Sequence, residues 1–157
     1  MMKTNHFVLC GIVLAGASAA LFTAVSHAQT PQTAPPLPAL QKNCVFLKEV
    51  TTGQIQVRKV VRVGNENTDF AVPTGIRFTS YIAQFLPENN ASYQANLFFK
   101  YNDGSNARVF SKTIAGKRFQ REVGAFRSPT ARQPFQINFN VSSNRNNAYQ
   151  VAVMACR

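Results

Sequence analysis

Residues 43–157 predict a single all-β domain, an antiparallel sandwich or jelly roll of about eight strands. Three observations point there. Phe135-Gln136-Ile137-Asn138-Phe139-Asn140-Val141 alternates apolar and amide residues without a break, the period of a half-buried strand. Short apolar stretches recur at regular spacing, with Gly, Pro and Asn punctuation between them. No window carries the roughly 3.6-residue period of an amphipathic helix, so the crossover helices that a parallel sheet needs are missing.

In chain order the strands fall at 44–50, 54–63, 76–86, 93–101, 107–114, 119–126, 135–141 and 148–156. Thr51-Thr52-Gly53 turns the chain between the first two, and Gly64-Asn65-Glu66-Asn67-Thr68-Asp69 reads as a polar loop. Pro73-Thr74-Gly75 leads into the third strand. Asn102-Asp103-Gly104-Ser105 closes a hairpin, because Asp-Gly tolerates positive φ. Ala115-Gly116-Lys117 and the amide-rich run from Ser142 to Asn147 supply later turns, as does Glu88-Asn89-Asn90. Eleven phenylalanines downstream of residue 28 provide the core. Tyr81, Tyr93, Tyr101 and Tyr149 suit strand positions with hydroxyls at the rim; a flat sugar-binding platform is their less economical use, and Trp is absent.

Residues 1–28 read as a cleavable export signal: Lys3 in a short n-region, an uncharged stretch from Phe7, and small residues at Ser26 and Ala28. Gly11, Gly16, Ser18 and Thr23 dilute that stretch below what a spanning anchor needs, so the mature chain carries no transmembrane segment. Residues 29–42 hold four of the eight prolines and read as an extended, disordered leader. The expected location is secreted or periplasmic. Cleavage removes Cys10, His6 and His27, and loss of Lys3 leaves 16 basic against 6 acidic residues, a net +10.

Cys44 and Cys156 remain, in the first and last predicted strands, and an oxidising compartment favours a disulfide between them. Without histidine, Ser-His-Asp and Cys-His chemistry is excluded, and so is the commonest transition-metal ligand. No phosphate-cradling or dinucleotide glycine motif occurs. The six acids are Glu49, Glu66, Asp69, Glu88, Asp103 and Glu122; Glu66 and Asp69 share the polar loop but fall short of a calcium cage. The reading is a protein with no catalytic residues, no metal and no cofactor.

Basic residues concentrate instead. Arg108, Lys112, Lys117, Arg118, Arg121, Arg127 and Arg132 lie within 25 residues that contain one acid, Glu122, and form the candidate anion-binding set. Even spacing places Arg108 and Lys112 on one strand face. Arg58, Lys59 and Arg62 make a second cluster. Surface charge that protects strand edges is the plainer reading of both. The functional expectation is a non-catalytic module that binds an anionic polysaccharide, glycolipid or other polyanion of the cell envelope. The alternative is a structural subunit that self-associates or contacts an envelope protein through its leader.

Overall fold

The computed structural model describes residues 33–157; the expected signal segment, with Cys10, His6 and His27, and the first residues of the expected leader lie outside them. Ten strands occur among the described residues, and no α-helix, so none of these residues forms a helix long and apolar enough to cross a membrane. They are β1 (Cys44–Phe46), β2 (Lys48–Glu49), β3 (Gln56–Val60), β4 (Asn65–Ala71) and β5 (Ser80–Pro87), followed by β6 (Ala91–Lys100), β7 (Asn106–Gly116), β8 (Glu122–Phe126), β9 (Gln136–Ser142) and β10 (Ala148–Cys156). All pairs are antiparallel. In sheet I, β10 lies between β5, which carries β8 as the far edge, and a second edge shared by β1 and β3. Sheet II runs β2-β4-β9-β6-β7.

Alternation decides the layers. On β10, Tyr149, Val151, Val153 and Ala155 point inward, joined by Tyr81, Ala83 and Phe85 of β5. Sheet II opposes them with Phe70, Ile137, Phe139, Val141, Tyr93, Leu97 and Phe99. Aromatic rings key the layers together: Tyr81 meets Phe99 at 4.9 Å, and Phe85 meets Tyr93 at 5.1 Å and Tyr149 at 5.3 Å. The hairpin between β6 and β7 forms at the expected tip, with Gly104 at φ 81°.

Cys44 pairs directly with Cys156 in the β1–β10 register and the two are bonded, closing a span of 112 residues. A small second cluster surrounds the bond, with Met154, Phe46 and Ile82 on the outer side of sheet I.

The strand expected at 44–50 is two strands in different sheets. The chain crosses between layers at Leu47, fully buried, whose N–H donates to Val153 O at 2.8 Å. The segment expected to be a loop at 64–69 is instead an interior strand, β4, between β2 and β9. Only Thr68 and Phe70 of β4 are buried, so its outward amides mask the period of two. Because β4 is extended, Glu66 and Asp69, an odd number apart, project to opposite faces, which removes the shared ion site that a loop would have permitted. Elsewhere β5 begins four residues later than expected. Gln133 holds the preceding segment as a loop, accepting from Phe78 N–H at 2.8 Å and donating to Ile76 O at 3.0 Å. β8 starts only at Glu122, after Phe119 adopts φ 60°.

Cys44→Ala/Cys156→Ala should lower unfolding stability by about 3–5 kcal/mol, since the bond closes a loop of over a hundred residues; urea titration of both forms checks it. Two tyrosines should behave oppositely. Tyr93 donates its hydroxyl to buried Ala148 O at 3.0 Å, so Tyr93→Phe should cost about 1–2 kcal/mol. The Tyr149 hydroxyl has no partner among the described residues, and burial raises its pKa, so Tyr149→Phe should be neutral or stabilising in the same titration.

Candidate functional site

The outward face of sheet II carries a connected array of amides and hydroxyls. Strand register aligns Asn67, Asn140 and Asn96 across β4, β9 and β6. Asn140 Nδ2 donates to Asn65 Oδ1 at 2.7 Å and Asn67 Oδ1 at 3.0 Å, and Asn96 Nδ2 donates to Asn140 Oδ1 at 3.3 Å. On β7, the Thr113 hydroxyl donates to Gln94 Oε1 at 2.7 Å. Each side chain is fixed by a neighbour one strand away, about 4.8 Å distant, so the face presents ordered donors and acceptors.

At one end of this face the hairpin borders a groove lined by Phe98, Phe135, Lys100, Asn138, Asn102 and Asn106. Phe98 is half-buried on the outward face, and Phe135 is 40% exposed. Lys100 Nζ and Asn138 Nδ2 both donate to Asp69 Oδ1 at 2.9 Å, which fixes the polar floor beside the rings. Burial pushes the Asp69 carboxyl up, but hydrogen bonds from Lys100, Asn138 and Gln136 and the Lys100 charge outweigh it, and the net pKa lies below the ordinary 3.8. Chemically, the groove offers two aromatic faces with amide, ammonium and carboxylate groups beside them.

The sequence pattern does not show this arrangement. Phe98 and Phe135 read as core there, and the four tyrosines considered for a platform are all buried. The loop amides serve turns: Asn89 Oδ1 accepts from Ala148 N–H and Asn90 Oδ1 from Arg118 N–H, both at 2.7 Å. One signal was present, the unbroken amide face of β9.

The seven candidate basic residues are dispersed. Arg108 lies on the outward face of sheet II, opposite Phe98. Lys112 does not share that face. A bulge between Leu97 and Phe98 leaves Val109 without a partner on β6, so Lys112 pairs with inward Ala95 and borders a slot between β7 and β8 beside Glu122. Lys117 and Arg118 occupy the β7–β8 loop, at the opposite end of the sandwich from the hairpin tip, with Arg118 stacked 4.8 Å over Phe119. Arg121 is spent within the fold: it donates to Gln84 Oε1 at 3.2 Å and to the Pro35 and Pro36 carbonyls at 3.1 and 2.9 Å, strapping the proline-rich leader to the domain. Burial lowers its pKa. Arg127 and Arg132 meet Arg77 in a recess beside the hairpin. In the second cluster, Arg58 is taken by Glu88 in a bidentate pair, Nε to Oε1 at 3.0 Å and Nη2 to Oε2 at 2.7 Å.

Five of the six carboxylates are committed as well, all but Glu122. Glu49 accepts from the Thr52 N–H and hydroxyl at 2.7 Å, and Glu66 accepts from Arg62 N–H at 3.0 Å. Asp103 accepts from the Ser105 N–H and from Arg132. Glu122 sits at the slot rim. No group of three or more His, Cys, Asp or Glu among the described residues is placed to hold a metal.

No family model matches the chain, and no curated protein matches it. Solved structures of similar shape include AlgX of Pseudomonas aeruginosa, at 12% identity and TM-score 0.48 over 68% of this chain. The match spans 28% of the AlgX chain, well under half of that protein. A variant of CBM29-2, from the family 29 carbohydrate binding modules, matches at 10% identity and TM-score 0.45, covering 72% of this chain and 70% of that one. The CBM32 of AlyQ, in complex with 4,5-unsaturated mannuronic acid, matches at 13% identity and TM-score 0.43, covering 71% and 92%.

A group with a lowered folded pKa stabilises above its unfolded value and loses that contribution as pH falls through the folded one. Asp69→Asn should therefore cost roughly 1–2 kcal/mol at pH 7, moderated by partial solvation. The gap from wild type should close as pH falls below about 4, read from urea midpoints across a pH series.

Proposed function

We propose that this chain is an exported, non-catalytic binding module, secreted or periplasmic, that holds a polysaccharide of the cell envelope or its surroundings along the sheet II groove. The observation that carries the reading is the pairing of two solvent-facing phenyl rings, Phe98 and Phe135, with a pre-ordered row of amides and the Lys100–Asp69 pair. A sugar ring offers the complement: a C–H face that stacks on an aromatic ring and a hydroxyl edge that hydrogen-bonds amides and charged groups. Cross-strand hydrogen bonds hold the polar groups in place before a ligand arrives, which reduces the ordering cost of binding.

The net charge of +10 after signal removal favours an anionic chain, or the anionic head of an envelope glycolipid, over a neutral one. Lys100 lines the groove, and Arg108, paired with Phe98 across the β6–β7 ladder, adds a cation next to it. A binding role suits a domain in which five of six carboxylates are engaged by donors of their own.

Phe98→Ala and Phe135→Ala should each weaken retention on immobilised polysaccharide about ten-fold, with the folded state retained because neither ring belongs to the core cluster. Affinity electrophoresis in gels containing neutral or acidic polysaccharide checks it. Unchanged mobility of both variants in every gel that retards wild type would overturn the reading.

A further inference from the structure

A recess beside the groove gathers three arginines from distant parts of the sequence. Arg77 comes from the β4–β5 loop, Arg127 from the end of β8 and Arg132 from the β8–β9 loop; Thr79, Ser128 and Thr130 place hydroxyls among them. The residues lining it include no carboxylate. Among the described residues, Arg77 and Arg127 form no ion pair; Arg132 has one, with Asp103. Like charges gathered on one concave surface repel, and an arriving anion relieves that repulsion.

The walls are fixed by other contacts. Gln133 ties the loop that carries Arg77 to the β8–β9 segment, through Phe78 N–H at 2.8 Å and the Ile76 and Pro73 carbonyls at 3.0 and 3.3 Å. Ser128 Oγ bonds the Tyr101 hydroxyl at 2.8 Å and accepts from Thr130 N–H at 3.3 Å. Arg132 lies 4.8 Å over the Tyr101 ring and is held by Asp103 and Ser105. Arg132 is thereby oriented, while the Arg77 and Arg127 guanidinium donors remain open for bidentate contacts.

The recess and the groove share a wall. Ser105 lines the groove and accepts from Arg132 Nη2 at 3.3 Å, and Tyr101 lines the groove while bonding Ser128 of the recess. We propose that Arg77 and Arg127, with Arg132 behind them, form an oxyanion subsite that takes a carboxylate, sulfate or phosphate substituent of the chain lying in the groove. This rests on the polysaccharide reading above and adds to it the residues that would read an acidic substituent, Arg77 among them. Arg77 falls outside the basic run at 108–132, and only the fold brings it to Arg127 and Arg132.

The test compares wild type with Arg77→Gln/Arg127→Gln, with Phe98→Ala, and with Arg62→Gln/Arg145→Gln, an equal loss of charge at exposed sites in the β3–β4 and β9–β10 loops, away from the recess and the groove. Retention is measured at fixed salt on hydroxyethylcellulose, polygalacturonate, dextran sulfate and a phosphorylated mannan. The expected result is about a ten-fold or greater loss by Arg77→Gln/Arg127→Gln on one or more acidic polymers, with neutral binding unchanged and the Arg62→Gln/Arg145→Gln variant within about two-fold of wild type. Whichever acidic polymer shows the largest loss identifies the anion as carboxylate, sulfate or phosphate. Equal losses in both charge variants, or none in Arg77→Gln/Arg127→Gln, would overturn the subsite. Should Phe98→Ala bind every polymer normally while Arg77→Gln/Arg127→Gln loses the acidic ones, the groove reading fails and the oxyanion site stands.

Discussion

Pairing along β10 is the constraint on which the rest of the structure depends. This strand carries β5 on one side and both β1 and β3 on the other, and its inner face, from Tyr149 to Ala155, supplies the centre of the core. Its last residue is bonded to Cys44, so the two ends of the domain are joined in the same ladder that sets the register of sheet I. Such long-range pairing is entropically expensive to form, and a covalent link between first and last strands lowers that expense in the unfolded chain.

With the core supplied by aromatic and branched residues on the inner faces, the outward face of sheet II has no packing role and can consist of amides. A strand of Asn, Glu and Asp such as β4 would be a poor strand in isolation. It is retained because Thr68 and Phe70 anchor it inward and β9 pairs with it over seven residues. The amides then bond sideways instead of competing with the backbone, and the same bonds that support the sheet order the candidate binding face.

The charge of the chain is handled in three ways. Arg58 and Lys100 are neutralised by carboxylates, and Arg121, half-buried, is engaged by the backbone carbonyls of the leader that it holds. Arg77 and Arg127 stay uncompensated beside the groove among the described residues. High net charge by itself speaks for solubility and loose attraction to anions; the position of the uncompensated arginines beside a groove lined by two partly exposed phenyl rings is what gives it direction.

The sequence by itself determined the all-β class, the amide face of β9, the hairpin at Asp103-Gly104 and the partnership of Cys44 with Cys156, because each is written in local alternation, turn chemistry or residue count. Tertiary structure alone decided the rest. A one-residue bulge on β7 turned Lys112 away from Arg108, since a slip of one residue reverses every side chain beyond it. Whether a phenylalanine is core or surface depends on where its strand ends, and β9 begins one residue after Phe135. Arg77, Arg127 and Arg132 meet through loop packing, which has no period in the sequence to announce it.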